Sequence, residues 1–119
     1  MYTSLGCWKD TTKHAIPSLE TDQSHPILSH TSNFKRRKAG IIKCLELARS
    51  LGFTVFALQN GGECLGSRTA HNDYRRFGKS TECKKDGKGG HFANQVYQIK
   101  KGIGNILHKI LINVQSKYF

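Results

Sequence analysis

Apolar residues occur along the chain in short blocks, each with its own period, separated by long polar stretches. The opening block, Tyr2 to Trp8, runs into Lys9-Asp10 and predicts a first strand with Cys7 and Trp8 at its end. Residues 13–34 are rich in Ser, Thr, His and Pro, and predict a long loop with one apolar stop at Ile27-Leu28. Over 35–51 the period changes to that of a helix. Ile41, Cys44, Leu45, Ala48 and Leu51 share one face, Gly52 is placed to stop the helix, and Ser32 or Asn33 could cap its start. Phe53-Thr54-Val55-Phe56-Ala57-Leu58 is β-branched and aromatic and predicts a strand. The turn signal Asn60-Gly61-Gly62 then leads into a short returning strand, Glu63 to Gly66. Residues 67–91 are polar, basic and punctuated by glycine, so they read as loops. Asn94 to Ile99 alternates polar and apolar and predicts a last strand.

The tail follows a different pattern. Ile103, Ile106, Leu107, Ile110, Leu111, Val114 and Tyr118 form a helical stripe, with Lys109 and Lys117 among the polar residues opposite. The pattern divides the chain into a domain over 1–100 and an amphipathic tail over 101–119. With 119 residues there is room for one domain, and 37% hydrophobic residues suffice for a small core, which argues against wholesale disorder. No apolar run reaches the length of a membrane-spanning helix. No charged-then-apolar leader opens the chain, so a secreted protein would already have lost its signal.

Charge and cysteine change the picture most. There are 19 Lys and Arg against 8 Asp and Glu, a formal net charge of +11, which draws polyanions. Four cysteines, Cys7, Cys44, Cys64 and Cys83, with no Cys-x-x-Cys, suggest two disulfides rather than zinc or redox chemistry. Three pairings are open. Nucleic acid is the usual partner of such a charge, but paired cysteines point away from the compartment that holds it.

Several segments resemble WSC domains: Leu5-Gly6-Cys7-Trp8-Lys9-Asp10, then Lys43-Cys44 with Ala48, Gly52-Phe53, Phe56-Ala57-Leu58-Gln59, Gly61-Gly62-Glu63-Cys64, Gly89-Gly90, Ala93-Asn94 and Val96-Tyr97. The segments Ala15-Ile16-Pro17-Ser18-Leu19-Glu20 and Gly78-Lys79-Ser80-Thr81-Glu82-Cys83 are similar to a WSC-like cysteine-rich module of marine-invertebrate extracellular proteins. The likeness covers roughly residues 5–99, with about half the cysteines of WSC modules. It implies an α+β fold of the PAN/apple kind, with one main helix packed on a curled antiparallel sheet. It also implies the pairs Cys44–Cys64 and Cys7–Cys83, and an extracellular, non-catalytic module commonly associated with carbohydrate.

The search for chemistry points the same way. The eight acids are scattered, with no two on one face of a predicted helix, so no local carboxylate couple suits acid–base work. His25 and His30 lie near one another in a loop, a weak metal signal. Asp86-Gly87-Lys88-Gly89-Gly90 has too few oxygens and too many lysines for calcium. No metal, cofactor or catalytic residue is expected. The cations, by contrast, cluster: Lys35-Arg36-Arg37-Lys38, read as the helix start; Arg75, Arg76 and Lys79 interleaved with Tyr74 and Phe77; and Lys84, Lys85 and Lys88. Cations at a helix N-terminus oppose the macrodipole, which hints that the first cluster serves a partner. Tyr74 and Phe77 either stack on a ligand or anchor their loop.

The expected protein is a secreted, disulfide-bonded α+β domain with a C-terminal amphipathic helix. Its expected role is to bind an anionic surface, glycan or lipid headgroup, through the three clusters. Two alternatives rest on the tail, which is similar to cationic membrane-active peptides of the magainin type. One is a host-defence or toxin effector acting on membranes, and the other is an assembly module that forms a homo-oligomer through that helix.

Overall fold

Strands form where the short apolar blocks fall, and both faces of the resulting sheet are covered. The computed structural model describes residues 1–21, 25–28 and 33–100. Its elements are β1 (Tyr2–Lys9), α1 (Gly40–Ser50), β2 (Val55–Gln59), β3 (Glu63–Gly66), α2 (Ala70–Asp73) and β4 (Ala93–Ile99), with 3-10 turns at Pro26–Leu28 and Phe34–Arg36. The four strands form one antiparallel sheet in the order β1-β4-β2-β3. This is a small α+β fold with two disulfides, Cys7–Cys83 and Cys44–Cys64.

β2 lies inside the sheet and is buried along its whole length. On one face Phe56, Leu58, Cys64 and Tyr97 pack with Cys44, Leu45, Leu47 and Ala48 of α1, and with Leu19 and Leu28 from the long loop. On the other face Val55, Ala57, Leu65 and Val96 pack with Ile16 and Ala70, flanked by Leu5, Trp8 and Tyr74. The Cys44–Cys64 bridge fastens α1 to β3 within the first of these layers. Ala15, Ile16 and Leu19, in a segment whose polar composition reads as loop, are buried. Ser18 forms a bridge with Leu65, and Leu19 and Gly66 exchange backbone hydrogen bonds with Cys64 and Pro17, so this segment covers the β3 edge. Across the sheet, residues 78–80 cover the distal half of β1 through Lys9 N–H to Gly78 and Ser80 N–H to Cys7. Both edges are thereby shielded from strand addition over these stretches.

Helix α1 begins five residues later than the sequence predicts. Lys35 and Arg36 belong to a separate 3-10 turn, Arg37 is extended, and Ala39 is left-handed (φ 53°) before the first helical residue, Gly40. The conflict with the helix macrodipole therefore does not arise. Asn33 caps, as its residue type suggests, but it caps the 3-10 turn: its side chain accepts from Lys35 N–H at 3.0 Å. The helix stop is as expected. Gly52 (φ 78°) donates to Arg49 and Phe53 donates to Ala48, the paired closing bonds of a Schellman motif. Leu47 lies outside the predicted stripe yet is buried, because the Pro26–Leu28 turn packs on α1 and widens its apolar face. The four-residue α2 has no counterpart in the sequence reading, which treats 67–91 as loop. Residues 101–119, with the predicted tail helix, lie outside the described residues.

Candidate anion-binding site

The β2–β3 turn, residues 60–62, is the platform on which two cationic segments meet. Its glycines set how closely they approach. A Cβ on Gly62 would lie 2.5 Å from the carbonyl of Phe34, so only glycine lets the Phe34–Arg36 turn settle there. Arg37 then locks that turn in place. Its guanidinium donates to Leu28 O (2.6 Å), to Gly62 O (3.1 Å) and through two nitrogens to both carboxylate oxygens of Glu20 (2.9 and 2.5 Å). Glu20 also accepts from Cys64 N–H at 2.8 Å. This bidentate pair is buried at the arginine, whose side chain is 1% exposed.

The loop over 84–91 docks from the other side. Gly61 N–H donates to Lys88 O and Asn60 N–H to Gly90 O. Lys84 N–H donates to Gly89 O, and Tyr97 O–H to Gly87 O at 2.6 Å. A Cβ on Gly90 would sit 2.0 Å from Glu82 O, so the loop crosses itself there without a side chain. Asp86 accepts from Lys88 N–H at 2.9 Å, an Asx turn rather than a cation loop. Between the two segments lies an open pocket of about 300 Å³ lined by Lys35, Asn60, Gly61, Lys84, Asp86, Lys88, Gly89, Gly90 and His91.

The three predicted clusters thus have different fates. Lys35 from the first and Lys84 and Lys88 from the third share one pocket. Arg36, Lys38 and Lys85 are exposed nearby in sequence. Arg37 is corrected from a ligand-facing cation to an internal one. The second cluster does not line the pocket. Lys79 forms a bridge with Trp8 at the outer edge of β1. Arg76 pairs with Asp73 at 3.4 Å. Tyr74 meets Trp8 edge-on at 5.2 Å, and the Arg75 guanidinium lies 5.2 Å from the Tyr74 ring centre. Tyr74 packs against the second core layer, in keeping with the anchoring reading, and Phe77 is half-buried. Among the described residues, Arg37 and Arg76 are the only Lys or Arg residues in ion pairs, so Lys35, Lys84 and Lys88 face solvent without a carboxylate bound to them.

Two features near the site escape the sequence reading. His91 and Phe92 form the two-residue turn between Gly90 and Ala93, with Phe92 in the left-handed region (φ 47°) and 40% exposed. Their rings lie 4.5 Å apart. A left-handed phenylalanine is rare, and nothing in local composition announces it. The other is a buried polar network at the same end of the sheet. Asp10, whose side chain is fully enclosed, accepts from His14 Nδ1 (2.6 Å), Ala15 N–H (2.8 Å) and Gln59 Nε2 (2.5 Å). Gln59 also donates to Asn94 Oδ1 at 2.8 Å. Burial pushes the Asp10 pKa up, but the His14 hydrogen bond, the Ala15 and Thr11 N–H groups and the His14 charge together outweigh it, so the carboxyl titrates below its ordinary range.

Among the described residues no cluster of three His, Cys, Asp or Glu could hold a metal, and no helix is long and apolar enough to cross a membrane. The two disulfides fit an extracellular or secreted protein. The chain matches no known family model and no curated protein sequence.

Proposed function

We propose that this protein is a secreted, non-catalytic module that binds an anionic surface through the cationic end of its sheet. The observation that carries the reading is the meeting of Lys35 with Lys84 and Lys88, which are distant in sequence, around one solvent-open pocket. The net charge of +11 supplies long-range attraction, and the fixed lysines supply the contact. Lysine is a compact point charge that suits sulfate or phosphate without demanding one orientation. The architecture supports a binding role, because the site's backbone is held by glycine contacts, the Arg37–Glu20 pair and a disulfide rather than by the ligand. Exposed Arg36, Lys38, Lys85, Arg75 and Lys79 extend the positive field beyond the pocket. The resemblance to WSC domains favours a glycan as the carrier of the negative charge. Elution from a heparin column tests the reading: retention beyond physiological ionic strength is expected, and release below it would overturn the proposal.

A further inference from the structure

We infer that the pocket between the β2–β3 turn and residues 84–91 seats a single sulfate or phosphate monoester carried on a sugar, with the Phe92 ring lying against the sugar. This rests on the anionic-surface reading and narrows it to one group at one place.

Three observations combine. First, the pocket's cationic donors are side chains. The backbone N–H groups of Asn60, Gly61, Lys84, Lys88 and Gly90 are all engaged within the protein. The three ammonium groups of Lys35, Lys84 and Lys88 remain for a ligand, and a tetrahedral anion accepts from several directions at once. Second, the charge balance favours an anion. Lys35, Lys84 and Lys88 outnumber Asp86, which lines the same pocket, so the site is net positive and attracts a sulfate or phosphate ester. Third, the rim is aromatic. His91 lines the pocket and Phe92 stands beside it, 40% exposed, on a left-handed backbone that phenylalanine rarely adopts. Such strain persists where surrounding structure enforces it and concentrates at ligand sites. An exposed ring next to a cation pocket offers an apolar face to a sugar ring while the ester enters the pocket.

The test is titration of the full chain with a glucose sulfate monoester, unsulfated glucose and inorganic sulfate, followed by amide NMR. Saturable shifts at Gly61, Lys84, Lys88, His91 and Phe92 with the sulfated sugar are expected, with none from glucose. Lys84→Gln/Lys88→Gln should weaken the sugar sulfate about tenfold. Phe92→Gly, whose backbone suits the new residue, should weaken the sugar sulfate but leave inorganic sulfate unchanged. Asp86→Asn should tighten both. Normal heparin retention without these shifts would overturn the pocket assignment and leave the broader reading standing, whereas loss of both would overturn both. Equal effects of Phe92→Gly on sugar sulfate and inorganic sulfate would mark an adventitious ion only. Binding confined to phosphatidylcholine vesicles doped with phosphatidic acid would assign the pocket to a lipid headgroup instead.

Discussion

Two charged side chains whose partners the sequence does not reveal are internal struts. Arg37 sits in a run of four cations, and nothing in that run distinguishes it from Lys35, Arg36 or Lys38. Its partners Glu20, Leu28 and Gly62 come from three distant segments, so only the fold identifies it. Arg37→Ala should cost about 3–5 kcal/mol by leaving the Glu20 carboxylate and two carbonyls without their donor. Glu20→Gln in that background should recover part of the loss, and urea denaturation of the single and double variants measures both. Asp10 is the other strut. Its carboxyl is held below the ordinary range when folded, so the unfolded chain takes up the proton first as the pH drops. Its contribution to stability is fully present above the ordinary carboxylate value and is lost as the pH falls through the lower, folded one. Thermal unfolding from pH 7 to pH 2 should show that decline, and Asp10→Asn should shrink it while reducing neutral-pH stability by about 1–3 kcal/mol.

Elements with a strong internal period were legible from sequence. The strands over Val55–Gln59, Glu63–Gly66 and Ala93–Ile99 match the predicted blocks to within two residues at each end, because their apolar residues fill a sheet covered on both faces. The C-terminal stop of α1 was equally legible, since Gly52 supplies the left-handed residue a helix end uses. What was lost lies where tertiary contacts override local preference. The start of α1 moved because Arg37 is drawn inward, and the segment over residues 15–19 became an edge cover with a buried Ile16. The candidate site was half legible. The lysine clusters were visible, but that Lys35 would meet Lys84 and Lys88 depends on close backbone approaches at Gly62 and Gly90. Gly90→Ala should therefore act on the whole element. Its Cβ meets the Glu82 carbonyl, so the loop must shift, at a cost of about 1–3 kcal/mol, and heparin retention should drop although no charge has changed. Chemical denaturation and column elution on the same sample read the two effects separately.

At the scale of the whole molecule, the sheet is a rigid frame closed by two disulfides of unequal reach. Cys7 and Cys83 are 76 residues apart and join β1 to the segment preceding Lys84, whereas Cys44 and Cys64 are 20 apart and fully buried. In the loop-entropy description these correspond to about 4.5 and about 3 kcal/mol. The half-buried outer bridge should open first under mild reductant, and peptide mapping by mass spectrometry should find Cys7 and Cys83 alkylated before Cys44 and Cys64. Heparin affinity should fall at that stage, as Lys84 and Lys88 lose their fixed relation to the sheet.

The account claims that the position of the cations, not their number, makes the binding surface. Two triple variants of equal net charge separate these directly. Lys35→Gln/Lys84→Gln/Lys88→Gln removes the pocket cations, and Lys9→Gln/Lys13→Gln/Lys100→Gln removes three exposed cations that do not line the pocket. The measurement is heparin-oligosaccharide affinity for each variant across a salt series. The pocket variant should bind much more weakly than the control and with a shallower salt dependence, and equal affinities for the two would contradict the claim.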